Sequence, residues 1–427
     1  MAEHSIYDVI IAGAGLAGLS LAAALRATSL RVCLLETGAG DAPDDTPRAP
    51  DDWDGRIYAL SPSSVRFLET IGAWRHIDQR RVTPVDQMNV AGDDPRSASL
   101  RLSAFDAGAL QLACIVEARS LVGALRAALA GASAGAATTP GGAAPPLVRM
   151  SGIDLVAIET SSTSCTVELA GLPGSASAAR EPAATPSRMI EGALLVGADG
   201  SRSATRLLAG IKARSTPYDL TAVVANFSVE RSTAGIAFQW FRDGAVLAWL
   251  PLGDRCMSMV WSLPTTQARN LLACADDDFV ARVAAAGEHR LGAMQLLNRP
   301  GAYPLHRVRV DQVATERVAL IGDAAHTIHP LAGQGINLGF RDARDLARLL
   351  GAGGTVAAPA HPGSPRLMRQ YRQARAEDIL SLDLLTHGLQ RLFAARDPVS
   401  RALRNHGLNL VEHLPVVKGL LARRALA

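Results

Sequence analysis

Three groups of residues in this 427-residue chain have types and spacing that can do chemistry. The first is Gly13-Ala14-Gly15-Leu16-Ala17-Gly18, with Glu36 lying 23 residues after Gly13. Gly13 permits a tight turn, Gly15 lets backbone approach a diphosphate, and Gly18 lets a helix pack closely on a strand. A helix opening at this point offers free N–H donors and the positive end of its dipole. Glu36 can accept hydrogen bonds from ribose hydroxyls and disfavours a 2′-phosphate. The group points to dinucleotide binding and is compatible with either NAD or FAD.

The second group is an apolar run, Leu194 to Gly197, that leads through Ala198 into Asp199-Gly200 and a Ser/Arg-rich turn ending near Arg206. By residue chemistry alone this is a tight Asp-Gly turn with Asp199 capping the next helix. The third group runs from Val318 to His326 and resumes from His329-Pro330 to Asn337. A buried strand ends at Gly322-Asp323, whose carboxylate can hold a polyol hydroxyl. The glycine loop Gly333-Gln334-Gly335-Ile336-Asn337 then delivers a helix N-terminus. Aimed at a flavin, that terminus would stabilise the negative charge that develops on reduction. His326 and His329 lie three apart, but no third metal ligand is near and Pro330 breaks a shared helical face. Loop-ordering hydrogen bonds are expected there, and no metal.

The elements that must position these groups can be read from the patterns between them. Tyr7 to Ala12 is a β-branched run, a helix follows to about Ala27, and Arg31 to Glu36 is a second strand, which together make a β-α-β unit. Ser61 can cap a helix with Pro62 at its first position, Val65 and Leu68 inward and Gly72 at its exit. Leu121 to Leu129 reads as helix. Thr221–Val229, Ile236–Phe241, Val246–Leu250 and Met257–Ser262 read as successive strands of an antiparallel sheet. Arg317 to Ile321 is a buried strand, Ile336 to Leu350 a helix, and the chain from Arg366 onward is helical. Residues 38–52, 131–146, 171–187 and 351–365 are Gly-, Pro-, Ala- or Asp-rich and read as loops or insertions. Parallel-sheet signals thus flank an antiparallel block. The pattern predicts an α/β fold, a Rossmann-like domain interrupted by a second sheet.

Composition removes other classes. Apolar residues make up 48% and charged residues 19%, enough for a large core and incompatible with wholesale disorder. The net charge of +3 is too balanced for a nucleic-acid binder defined by overall charge. Five cysteines, never in C-x-x-C spacing, give neither a disulfide framework nor a structural zinc site. The uncharged stretch Val9 to Leu25 is shorter than the roughly 20 residues of a membrane span. No signal peptide or transmembrane helix is read, so a cytoplasmic protein with at most peripheral membrane contact is expected.

The three groups, in this order and spacing, resemble the flavoprotein aromatic hydroxylases of the p-hydroxybenzoate hydroxylase type. More narrowly, the run from His329 to Asp342 resembles the signature of the ubiquinone-biosynthesis hydroxylases. Arg56 with Ala59-Leu60-Ser61, Trp249-Leu250-Pro251-Leu252, Val260-Trp261-Ser262, and Tyr371, Arg375, Thr386, Leu389 and Phe393 are similar to further segments of that family. The resemblance implies an FAD-binding domain over 1–82, 107–213 and 300–352, a substrate-binding sheet domain over 83–106 and 214–299, and a C-terminal helical region over 366–427. It implies that Gly13, Ala14, Gly15, Leu16, Ala17, Gly18 and Glu36 hold the ADP half of FAD, that Arg56 touches the cofactor, and that Asp323 holds its ribityl chain. Gly322, Pro330 and the loop Gly333 to Asn337 complete these contacts, with the loop against the isoalloxazine. Asp199 would contribute to a motif used for both FAD and NAD(P)H. Ala118 stands where relatives often carry a polar amide, and the neighbouring Arg119 is the available substitute.

The implied activity is hydroxylation of the ring of a polyprenylated phenol in ubiquinone biosynthesis. NAD(P)H reduces FAD and O2 adds to give a flavin C4a-hydroperoxide, so the chemistry resides on the flavin and no catalytic side chain is named. Hydroxylation of another aromatic compound, a prenyl-lipid flavin reductase, and a flavin-stabilised structural subunit are the alternatives. Segment 366–427 carries 11 basic residues against five acidic. It reads either as docking to the inner membrane or to other quinone-synthesis proteins, or as a helix packed on the FAD domain with a solvated arginine face.

Overall fold

The computed structural model describes residues 5–37, 52–92, 99–131, 147–171, 188–242, 244–328, 333–354, 359 and 361–394. Most of the four expected loops, together with His329, Pro330 and the tail past 394, lie outside the described residues.

The N-terminal β-α-β unit forms from strand Ser5–Ala12, helix Leu16–Leu25 and strand Val32–Glu36. Val9, Ile10 and Ile11 are fully buried, and the helix is apolar on nearly every side. Both follow from a parallel sheet covered on both faces, which leaves no strand face for water. The sheet runs Val148–Ser151, Val32–Glu36, Ser5–Ala12, Arg188–Gly197, Cys165–Ala170, Asp154–Thr160. Strand Arg188–Gly197 is shared along its length. Its first half pairs antiparallel with Cys165–Ala170, and its last residues pair in parallel with Val318–Leu320.

This sharing brings the three sequence motifs together. Ala12 lies opposite both Leu35 and Gly197, and Gly197 lies opposite Leu320. The four strands therefore end level, and the loops that follow three of them, at 13, 198 and 321, emerge side by side. The crevice beyond the carboxyl ends of such strands is where this architecture binds ligands.

The second sheet runs His326–Thr327, Gly301–Val310, Ala213–Val229, Cys256–Pro264, Ala245–Leu252, Ile236–Arg242, Gln87–Ala91, Ser99–Ser103, with Met294–Leu296 attached to Ala213–Val229. The expected antiparallel strands are there, each longer than its apolar run, most of all Ala213–Val229, which begins eight residues before Thr221. At one seam the pairing is parallel, Ile236 opposite Gln87, because a hairpin from far earlier in the chain completes the sheet. One face of this sheet packs Trp240, Trp249, Met257 and Met259 against helices Thr265–Leu272 and Asp276–Ala286. The strand His326–Thr327 follows the Gly322-Asp323 turn directly and pairs with Gly301–Val310, stitching the two sheets together.

Ser61 caps helix Pro62–Thr70 as expected, accepting from the Ser64 N–H. The C-terminal helix spans Pro365–Ala394 and buries Leu367, Met368 and Tyr371 against the nucleotide-binding domain. Among the described residues no helix is long and apolar enough to cross a membrane.

Candidate functional site

A cavity of about 670 Å³ lies between the level strand ends and the free face of the second sheet. Two helices start at its edge. Helix Leu16–Leu25 begins after Gly15, and helix Gln334–Leu349 begins after Gly333. Neither start carries a side-chain cap. Gly15, Leu16, Ala17, Gly333, Gln334 and Gly335 all line the cavity. The first N–H groups of a helix have no partner within it, so both starts present donors and positive dipole ends to one space.

The glycines of the first motif divide their work as the spacing predicts. Gly13 has φ +113°, and a Cβ there would lie 2.4 Å from the carbonyl oxygen of Ala198. A Cβ on Gly18 would lie 1.9 Å from the Gly13 oxygen. Both pack protein on protein. A Cβ on Gly15 would meet nothing within 4 Å, and its open side faces the cavity. Ala14 packs on the core beneath the turn. Glu36 ends its strand with its carboxylate held by Arg126 at 2.5 Å and Arg149 at 3.5 Å.

Asp323 faces the cavity, where water reaches it, yet protein surrounds it on the other sides. That partial desolvation pushes its carboxyl above the usual carboxylate value, although His326, His306 and Arg56 pull the other way. Its side chain has no hydrogen-bond partner among the described residues. The guanidinium of Arg56 lies 5.4 Å from the Tyr303 ring centre at the same end of the cavity. Two uncapped helix starts, an open glycine and an unpartnered carboxylate fit FAD. The donors suit its diphosphate and the electron-rich edge of its isoalloxazine, and the carboxylate suits its ribityl hydroxyls.

Other expected site residues are spent on protein. Asp199 accepts from Ser203 Oγ at 2.5 Å, Thr205 N at 2.8 Å and Thr205 Oγ1 at 3.0 Å, the cap its Asp-Gly turn suggested, while Ala198 and Gly200 line the cavity beside it. Asn337 accepts from Ser61 N and Ser64 Oγ and donates to the Ala59 carbonyl, clamping the Arg56-bearing segment to the helix start. Arg119 donates to Asp52, and its backbone N–H to Asp54. It anchors the turn before Arg56, and Ala118 is the residue at the cavity. Glu117 holds the same turn. Burial would raise its carboxyl, but Arg81, the Asp54 N–H and Arg119 hold it below the usual range.

Pattern reading missed the support beneath the Gly322-Asp323 turn. Asp342 is fully buried. It accepts from Gly322 N at 2.8 Å, His326 Nε2 at 2.7 Å and Arg375 Nε at 2.7 Å. Burial would raise its carboxyl, but His326, Arg375 and the Gly322 N–H outweigh that and lower it. Tyr371 donates to the Leu320 carbonyl at 2.9 Å. The C-terminal helix thus fixes the turn that carries Asp323. The similarity of Tyr371 and Arg375 to a family segment was the available signal. His326 serves this network, as loop-ordering hydrogen bonds would require.

The sequence profile described as FAD binding domain matches residues 171–381. Over 99% of its length the chain is 31% identical to Ubiquinone biosynthesis monooxygenase COQ6, mitochondrial, of Drosophila melanogaster, 90% of which is covered. It is 30% identical over 99% of its length to Ubiquinone hydroxylase UbiL of Rhodospirillum rubrum, with 90% covered. Against 3-demethoxyubiquinol 3-hydroxylase of Escherichia coli it is 29% identical over 98% of both chains. Among solved structures, p-nitrophenol 4-monooxygenase PnpA of Pseudomonas putida superposes with a TM-score of 0.71 at 18% identity, covering 99% of this chain and 98% of that one. HpxO of Klebsiella pneumoniae, complexed with FAD and uric acid, gives 0.69 at 17% identity, covering 99% and 98%. These two share the fold. Fold and site together define an FAD-dependent monooxygenase. Within that class, the chain belongs to the flavin hydroxylase family of ubiquinone biosynthesis.

Proposed function

We propose that this enzyme hydroxylates the aromatic ring of a polyprenylated phenol in ubiquinone biosynthesis, with NAD(P)H and O2 as co-substrates. The supporting observation is the charge pattern of the cavity. Arg56 is the one Lys or Arg among the described residues that line it, and it sits at the Asp323 end. The second-sheet wall presents Ala222, Val224, Ala237, Val246, Ala248 and Val260, and Arg56 meets it only at its edge, over Tyr303, the cross-strand partner of Ala222. A benzoate would need a cation on that wall to offset desolvation of its carboxylate, whereas a neutral ring with an isoprenoid tail needs an apolar wall. The names of the relatives agree with this choice.

FAD, when bound, supplies hydride acceptance and O2 activation. The chain does the rest. The helix starts after Gly15 and Gly333 bind the anionic parts of the cofactor, and Asp323 orients its polyol. The sheet wall keeps water from the reacting ring, which protects the activated oxygen from wasteful release as H2O2. A cytoplasmic enzyme that visits the inner membrane peripherally fits the exposed Leu380 and Leu384 on its basic C-terminal helix.

The test is reaction of the reduced enzyme with isotopically labelled O2, with and without a prenylphenol. One labelled atom should enter the ring, and without substrate NAD(P)H oxidation should yield mainly H2O2. Tight coupling on a small hydrophilic benzoate, with no turnover of prenylphenols, would reassign the substrate. NAD(P)H-driven reduction of a prenyl lipid without O2 would make the protein a reductase.

A further inference from the structure

The cavity wall formed by the second sheet alternates with the layer behind it. On strand Ile236–Arg242, Ala237 and Gln239 line the cavity, Phe238 between them borders it, and Trp240 packs edge-on against Trp249 behind. In register across the sheet, Gln239 is followed by Ala248, Val260 and Val224, all of them cavity-lining. A carboxamide therefore interrupts a row of small apolar side chains.

Gln239 is 4% exposed, and its amide has no hydrogen-bond partner among the described residues. Ser262, the other polar residue on strands 236–264 that lines the cavity, lies two strands and one residue pair away. Sheet spacings put that at roughly 12 Å, beyond reach of the amide. The amide therefore opens on the cavity, and a ligand that displaces water from it must supply the missing hydrogen bond or leave the group unpaired.

We propose that Gln239 is the specificity-determining anchor for an oxygen substituent on the substrate's aromatic ring. Its Oε1 accepts from a phenolic hydroxyl, or its Nε2 donates to a methoxy or carbonyl oxygen. A neutral group that can both give and take a hydrogen bond selects a neutral oxygenated ring and fixes its position on a largely apolar wall. The inference rests on the aromatic-hydroxylase reading and adds the residue that orients the ring.

The experiment uses the FAD-loaded protein without NAD(P)H. A 2-prenylphenol and the matching prenylbenzene are titrated while the absorbance of bound flavin is followed. The wild type should bind the phenol about tenfold more tightly. Gln239→Leu should keep its FAD content, bind prenylbenzene at least as well, and lose the tenfold preference. In turnover it should show a raised KM for the phenol and a larger share of H2O2. If Gln239→Leu loses FAD, Gln239→Met, close to glutamine in shape, carries the comparison. No preference in the wild type, or a preference intact in either loaded variant, overturns the proposal. If only unprenylated phenols bind, the polyprenyl reading falls, and Gln239 is judged by the same criteria on a phenol and benzene pair.

Discussion

Gly15→Val should give a folded protein that cannot keep its flavin. Gly15 has φ −75° and ψ −176°, backbone that any residue adopts, and a Cβ there would meet nothing within 4 Å. The fold therefore loses little. The branched side chain instead fills the space in front of the Leu16 and Ala17 N–H groups at the uncapped helix start. Hydrogen bonds to a charged group are worth about 1.5–3 kcal/mol each, so losing two weakens FAD binding by at least about 3 kcal/mol, more than a hundredfold. The assay has two parts: the ratio of flavin to protein absorbance after purification, and a denaturant midpoint of the apoprotein. The expected result is colourless protein with a near-normal apoprotein midpoint. Gly18→Val is the contrast. Its Cβ would sit 1.9 Å from the Gly13 carbonyl oxygen, so this variant should fail to fold. A fully yellow Gly15→Val would refute the reasoning, because a diphosphate cannot share that space with a valine.

Asp323→Ala should lower FAD affinity about tenfold or more in a titration while leaving the chain folded. In the apoprotein the raised carboxyl of Asp323 disfavours folding as pH rises above its unfolded value, because the folded state holds that proton more tightly. Asp323→Asn should therefore make the apoprotein melt higher than wild type near neutral pH, and the gain should shrink as pH is lowered toward about 4. Asp342 has the opposite sign. Its lowered carboxyl contributes stability above its unfolded value, and that contribution is lost as pH falls through the folded value. Asp342→Asn should cost about 3 kcal/mol at neutral pH by urea denaturation, and should flatten the loss of stability below about pH 4. Burial pushes the thiols of Cys33 and Cys165 up to about 12 and that of Cys114 to about 11. Alkylation of the native protein near pH 8 should thus be confined to the half-buried Cys256 and Cys274, as peptide mass analysis would read.

Local patterns alone determined much of this protein. The β-α-β unit, the Ser61 cap, the antiparallel strands and the helix after Gly333 are each encoded within a few residues, by side-chain period, capping chemistry or glycine placement. The assignment of Asp199 to a capping turn was legible for the same reason, since its partners Ser203 and Thr205 lie within six residues. What the tertiary structure decided depends on residues far apart in the chain. Only pairing along strand Arg188–Gly197 makes the three loops emerge level. The two uncapped helix starts come from positions 15 and 333, and nothing in either stretch says that they share a cavity. The partners of Arg119, at Asp52 and Asp54, lie 67 and 65 residues away, so its anchoring of that turn is not legible in its own stretch. Asp342 and Arg375 lie 33 residues apart on two different helices, and nothing in either stretch says that they meet. Buried together, they become the support of the Asp323 turn, because a charge leaves water only where another part of the fold supplies its partner.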